Sequence, residues 1–204
     1  PENAPRVAAL AAFAQRNFGA LAALAPPLLN AVSLAHAVLG ETFVGAVSRG
    51  VNRASGNLVP EWNAKFPRGA AALPELAPPP PAGADASPDA LEVVYFPACP
   101  SRVMGPARSD PVQRSAPEAV VSLLEKSGAR VQYPDQTKCS MGAMCCGLSF
   151  DSRGCQDAND AAQAQTIEAL RAASDGGRRP IVCDTSPCAS HLIKAAQSAA
   201  PELQ

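Results

Sequence analysis

The sequence predicts an α/β protein, a small Rossmann-like domain with a largely parallel sheet, preceded by an alanine-rich helical segment. Three observations support this class. After residue 90, short β-branched runs alternate with amphipathic segments, which is typical of parallel strands joined by crossover helices. The first 56 residues lack such runs and are rich in Ala and Leu. A proline-rich stretch, LAPPPPAGADASPD, separates the two parts.

Residues 1–75 are predicted to form a helical connector. After a first helix, we expect a second over Leu28–Leu39 and a third around Thr42–Val51, with Pro26 and Pro27 ending the first. The apolar run Phe18–Gly40 approaches membrane-spanning length. Its alanines and its prolines favour a buried or interfacial helix over a spanning one.

Residues 76–90 are predicted to be a flexible linker, because Pro, Ala and Gly leave little side chain to bury. Residues 91–204 form the second domain, with the order β-α-β-loop-α-β-α. Its segments are the strand LEVVYF, a helix that starts at the capping-box sequence SAPE and stops at Gly128, the strand ARVQYP, a helix over Asp157–Ala173, the strand PIVC, and a last helix capped by Ser186 that runs to about Ala199.

The composition narrows the class of function. The net charge of −1 gives no electrostatic footprint for nucleic acid. All seven cysteines lie after residue 98, and their odd number in a chain of this size argues against a disulfide scaffold. We therefore expect reduced thiols that act as ligands.

Five cysteines are predicted to meet at one edge of the sheet. Cys99 and Cys183 end strands, Cys145 and Cys146 lie in a loop after another strand, and Cys188 lies in the first turn of the last helix. Ligands of open α/β sheets collect beyond the carboxyl ends of the strands. The helix N-terminus is expected to lower the pKa of the Cys188 thiol.

Thiolates select zinc or iron–sulfur clusters. Adjacent cysteines cannot easily both face one tetrahedral zinc ion, whereas a multi-iron cluster offers a different iron to each. Gly147 relaxes the backbone behind the pair.

The motifs YFPAC, CCG at Cys145–Gly147 and VCDTSPC at Val182–Cys188 resemble the cysteine-rich CCG domain. This domain occurs in heterodisulfide reductase, in the iron–sulfur components of glycolate and lactate oxidation, and in anaerobic glycerol-3-phosphate dehydrogenase. The match is closest to the C-terminal part of fused FAD-linked D-lactate (D-2-hydroxyacid) dehydrogenases. The chain departs from the family pattern in carrying one CCG motif and a CxxxxC, where many members have two CCG motifs and a CxxC.

The resemblance implies an iron–sulfur electron-transfer domain of a D-2-hydroxyacid dehydrogenase. It implies a 4Fe–4S-type cluster, cubane or non-cubane, held by Cys99, Cys145, Cys146, Cys183 and Cys188. FAD is expected only in an upstream module, so no residue here is assigned a catalytic role. The expected partners are the upstream flavin and ferredoxin-like modules and a quinone or other acceptor, with no nucleic acid. The expected location is the cytoplasm, with peripheral association with the inner face of the membrane, and the chain is expected to be a piece of a longer protein.

Two alternatives stay open: a zinc-stabilised docking domain and a thiol–disulfide redox domain. Cys139 and Cys155 are expected to be spare thiols, and His191 to pack at a helix surface. Some polar residues are candidates to offset cluster charge or to donate hydrogen bonds to its sulfurs: Arg102, Arg108, Arg114, Lys138, Asp184, Thr185 and Ser186.

Overall fold

A parallel three-stranded sheet forms the centre of the molecule, as the sequence predicts. The computed structural model describes residues 4–57, 59, 61–63, 65–77, 90–106, 110–134 and 141–198. Its strands are β1 (Glu92–Phe96), β2 (Arg130–Gln132) and β3 (Ile181–Cys183), arranged in the order β2-β1-β3. Residues 93–96 of the central strand are all buried, because a parallel sheet is covered on both faces.

Helices connect these strands in the predicted order. Their bounds are α3 (Cys99–Val103) and α4 (Ala116–Lys126) after β1, α5 (Leu148–Asp151) and α6 (Gln156–Ala173) after β2, and α7 (Ser186–Ser198) after β3. The predicted capping box at the start of α4 is confirmed, since Ser115 and Glu118 bond each other's backbone N–H groups. Gly128, with φ of 83°, follows the end of the same helix.

The sequence did not indicate the short elements near the cysteines. These are α3, α5 and a single 3-10 turn at Met141–Ala143, all shorter than the windows in which periodicity can be recognised. The prediction that Ser186 caps the last helix is wrong by one residue. The carbonyl of Thr185 accepts the N–H of Ala189 at 3.0 Å, so Ser186 is already helical.

Two helices precede the sheet, α1 (Ala4–Arg16) and α2 (Phe18–Ala54). The predicted break at Pro26-Pro27 is wrong, because α2 continues through both prolines. The carbonyls that they leave without an N–H partner belong to residues 22 and 23, and the second of these residues is exposed to water. The predicted boundary near residue 40 is confirmed: Gly40 has non-helical angles of φ 80° and ψ 165°.

The outer surface of α2 is open to solvent, so the prediction of a buried helix is wrong. By length and composition alone α2 could cross a membrane, and only 6 % of its apolar window is buried. The inner surface contacts the cysteine-bearing domain. A Cβ added at Gly19 would lie 3.3 Å from that of Ala143, and the N–H of Gly69 donates to the Asn30 side chain at 3.0 Å.

Helix α1 contributes directly to the core around the cysteines. Ala11 is buried, and with Val7, Ala14 and Phe18 it packs on a cluster formed by Cys145, Phe150, Cys155, Ala158 and Ala162. A second cluster fills the space between the sheet, α6 and α7, and it includes Phe96, Met144, Cys146, Leu170, Cys188 and Leu192. The two adjacent cysteines therefore belong to different halves of the core.

Candidate functional site

The structure brings all five predicted cysteines together at the carboxyl edge of the sheet. Cys183 is the last residue of β3 and pairs in register with Phe96 at the end of β1. Cys99 lies three residues beyond β1 and begins α3. Cys145 and Cys146 lie between the 3-10 turn and α5, and Cys188 lies in the first turn of α7. The rule that ligands collect at strand ends placed these sulfurs correctly.

Hydrogen bonds link four of the sulfur atoms in sequence. The Cys145 thiol lies between Cys99 and Cys146 and is within hydrogen-bonding reach of both. Cys146 is also hydrogen-bonded to Cys188. Cys183 completes the set, because it interacts electrostatically with Cys99, Cys146 and Cys188. We call these five residues the sulfur cluster.

The hydrogen bonds divide the thiols into donors and acceptors. The Cys145 thiol lowers the pKa of Cys99, with a further contribution from the Arg102 guanidinium. Hydrogen bonds from Cys145 and then Cys188 lower the pKa of Cys146. The donor roles and burial raise the pKa values of Cys145 and Cys188, and burial is the largest cause of the raised pKa of Cys183.

The expectation of a lowered pKa at Cys188 is therefore wrong. Cys188 is at a helix N-terminus, as predicted, but its thiol donates to Cys146 and is buried, and these two effects dominate. The position of the residue was predictable from its spacing, whereas the direction of its pKa shift depends on a partner 42 positions earlier in the chain.

Thr166 holds the backbone of Cys145 on both sides. Its hydroxyl accepts the N–H of Cys145 at 3.0 Å and donates to the carbonyl of the same residue at 2.8 Å. Thr166 lies in α6 and is completely buried. The sequence contains no local signal for this contact, since the two residues are 21 positions apart.

Asp184 fixes the two strand ends relative to each other. Its carboxylate accepts the N–H of Ala98 at 2.9 Å and the hydroxyl of Tyr95 at 2.8 Å. Burial and this hydrogen bond raise the pKa of Tyr95, so the phenol remains a donor. Because Asp184 follows Cys183 and Ala98 precedes Cys99, these bonds set the spacing of the two sulfurs. Thr185 donates to the same carboxylate and accepts from the thiol of Cys183.

Arg102 was a candidate to offset negative charge, and it has that role at Cys99 through its effect on the thiol pKa. Its guanidinium also donates to the carbonyls of Met141 and Met144 and lies over the Phe96 ring, 5.9 Å from the centroid. The same side chain therefore anchors the turn that leads into the double cysteine.

The turn at Gly147 is closely packed against α6. Gly147 has φ of 87°, and a Cβ there would overlap the side-chain oxygen of Asn159. Asn159 is buried, and His191 from α7 contacts the same oxygen at 2.9 Å. His191 also lowers the pKa of Cys146. The prediction that His191 only packs at a surface is therefore wrong, because it is tied to the CCG turn.

The remaining candidates lie away from the sulfur cluster or outside the described residues. Cys155 is buried beside α1, and its thiol contacts the carbonyl of Arg153. Arg114 donates to the Glu118 carbonyl at the start of α4. Cys139, Arg108 and Lys138 lie outside the described residues.

The donor set is suited to a soft metal, although it is not an assembled cage. All six described cysteines are free thiols. In the described part of the chain, no three His, Cys, Asp or Glu side chains are arranged to hold a metal ion. Because the thiols contact one another, a bound metal would have to separate them by side-chain rotation. The backbone positions already direct five sulfurs into one buried, largely apolar space, where bare thiolates are costly.

No family model, no curated protein and no solved structure matches the chain.

Proposed function

We propose that this chain is an iron–sulfur electron-transfer domain. The observation that carries the proposal is the convergence of five cysteines from four separate segments into one hydrogen-bonded cluster. Cys99, Cys145, Cys146, Cys183 and Cys188 would hold the group. When bound, an iron–sulfur cluster supplies one-electron transfer at a potential set by its charge, hydrogen bonding and burial.

The chain's own residues have identifiable tasks in this proposal. Thr166 fixes the backbone of Cys145, and Asp184 sets the distance between the Cys99 and Cys183 segments. Arg102 places a positive charge beside Cys99, which would offset part of the negative charge that thiolate ligands bring. The apolar residues around Cys146 and Cys188 exclude water from the sulfurs.

The number of sulfurs favours a multi-iron group over a structural zinc site. Structural zinc is almost always held by four ligands, and the CCG turn presents two adjacent residues whose sulfurs have opposite hydrogen-bonding roles. The free thiols and the absence of a CxxC in the sequence also give little support to a thiol–disulfide catalyst.

We further propose that the domain is the C-terminal portion of an FAD-dependent D-2-hydroxyacid dehydrogenase of the D-lactate type. It would receive electrons from upstream flavin and ferredoxin-like modules and pass them to a quinone or other acceptor in the cytoplasm or at the inner face of the membrane. The support is the YFPAC, CCG and VCDTSPC motifs. No phosphate-cradling glycine loop occurs in the sequence, so the flavin belongs to another module.

The experiment that tests the electron-transfer proposal is anaerobic reconstitution with ferrous iron and sulfide. We expect iron and acid-labile sulfide in comparable amounts, visible charge-transfer absorption, and an EPR signal in the oxidised or reduced state. Cys146→Ser should lose at least half of the bound iron. Cys155→Ser is the matched control, because Cys155 is also buried but lies outside the sulfur cluster, and it should bind iron as the wild type does.

One zinc ion per chain without acid-labile sulfide would contradict the proposal, as would equal iron binding by the two serine variants. The dehydrogenase assignment is tested separately by mixing the reconstituted chain with D-lactate and an artificial electron acceptor. The chain alone should give no turnover, and turnover without an added flavin module would show that the substrate chemistry has been placed wrongly.

A further inference from the structure

The two N-terminal helices expose far more apolar surface than a soluble protein normally leaves uncovered. Among the described residues, eleven of the eighteen exposed large hydrophobic side chains belong to α1 and α2. The inner sides of these helices contact the cysteine-bearing domain, so this exposure lies on their outer sides. The eleven residues are Leu10, Phe13, Leu21, Leu24, Leu28, Leu34, Val38, Leu39, Phe43, Val47 and Val51.

Part of this surface has the spacing of a helix-pairing seam. Starting at residue 21, apolar residues recur at alternating intervals of three and four, and only Ala35 among them is not fully exposed. A heptad pattern of this kind brings two helices together, with side chains of one helix inserted between those of the other. The small alanines leave recesses between the larger side chains. We call these residues the α2 seam: Leu21, Leu24, Leu28, Ala31, Ala35 and Val38.

The charge pattern indicates which partner fits the α2 seam. No Asp, Glu, Lys or Arg occurs between Phe18 and Gly40, so two identical seams can meet without like-charge repulsion. Helices that lie on a membrane surface instead carry Lys and Arg along their polar side. In α2 the side opposite the seam contacts protein, where Asn30 accepts the N–H of Gly69 and Ser33 is buried.

We propose that the α2 seam is a homodimer interface that pairs with the same seam of a second copy of this chain. A helix of 37 residues is about 55 Å long and about 10 Å wide. Two such surfaces together bury on the order of 1,100 Å², and the exposed side of α1 adds to this. A stable interface needs about 1,200 Å² or more, so the area is sufficient for a dimer.

The proposal goes beyond the electron-transfer function and does not depend on it. The measurement is the mass of the full chain in solution with a reductant present, by light scattering after size-exclusion chromatography at several concentrations. The monomer mass is 20.9 kDa, and we expect twice that value for the wild type. The double variant Leu24→Glu, Leu28→Glu should elute as a monomer and dimerise at least about 100-fold more weakly.

Controls separate loss of pairing from loss of folding. Leu123→Glu changes a leucine of α4 that is 70 % exposed, and it should remain dimeric. Leu24→Ala, Leu28→Ala keeps helix propensity without adding charge and should also weaken the dimer. Far-UV circular dichroism should be the same for all variants. A failed iron reconstitution in a chain that still dimerises would contradict only the electron-transfer proposal.

Three results would overturn the homodimer proposal. The first is a wild-type chain that is monomeric at concentrations of about 100 µM, well above the dissociation constants of typical specific interfaces. The second is a glutamate double variant that dimerises as the wild type does. The third is a monomeric wild type that floats with vesicles of phosphatidylcholine and phosphatidylglycerol, which would show that the seam binds lipid.

Discussion

Replacing Thr166 by valine tests how the CCG turn is held in place. Valine has nearly the same shape as threonine but no hydroxyl, so both hydrogen bonds to Cys145 are lost while the space stays filled. The Cys145 N–H and carbonyl would then be buried without these partners. Each unsatisfied buried group costs about 1–3 kcal/mol, and we expect the free energy of unfolding to fall by about 2–6 kcal/mol.

The matched control is Thr166→Ser, which keeps the hydroxyl and removes one methyl group. Its expected cost is about 1 kcal/mol from lost apolar burial. Urea unfolding followed by circular dichroism gives both values, and iron binding after reconstitution gives a second readout. Thr166→Val should bind less iron than Thr166→Ser, because the Cys145 sulfur is no longer held beside those of Cys99 and Cys146. Equal stability of the valine and serine variants would refute the reasoning.

Three further substitutions test other contacts. Gly147→Ala should cost more stability in urea unfolding than Gly128→Ala: both residues have positive φ, which costs about 1–2 kcal/mol, but only Gly147 lies against Asn159. Equal losses would mean that this contact is slack. Asp184→Asn leaves one of two buried donors unpaired, so we expect a loss of about 1–3 kcal/mol and weaker iron binding; wild-type behaviour in both assays would contradict its role. For Glu118, hydrogen bonds from the N-cap serine lower the carboxyl pKa, so its stabilisation is present above the unfolded-state pKa and is lost as pH falls through the lower folded-state pKa; Glu118→Gln should remove this acid-side dependence from unfolding curves, and an unchanged pH profile would contradict it.

The predictable part of the fold was the part specified by local pattern. The run LEVVYF and the capping box at Ser115 predicted β1 and α4 because their signals lie within a few residues. Helix α2 shows the limit of such reasoning. Proline normally ends a helix, yet at Pro26 the chain passes close to the 68–70 segment, and a Cβ at Gly69 would overlap the Pro26 carbonyl. This packing is non-local, so the sequence around the prolines does not reveal it.

The same distinction explains which site residues could be found from the sequence. The five cysteines carry a chemical signal of their own, and strand order alone places them at one edge. The groups that hold them are ordinary residues whose partners are remote: Thr166 acts on Cys145 from 21 positions away, and Asp184 acts on Ala98 from 86. A threonine within a helix and an aspartate after a strand have many common roles. A motif therefore identifies the possible ligands of such a site, but the spacing and hydrogen bonding that determine what they bind come from residues that the motif does not contain.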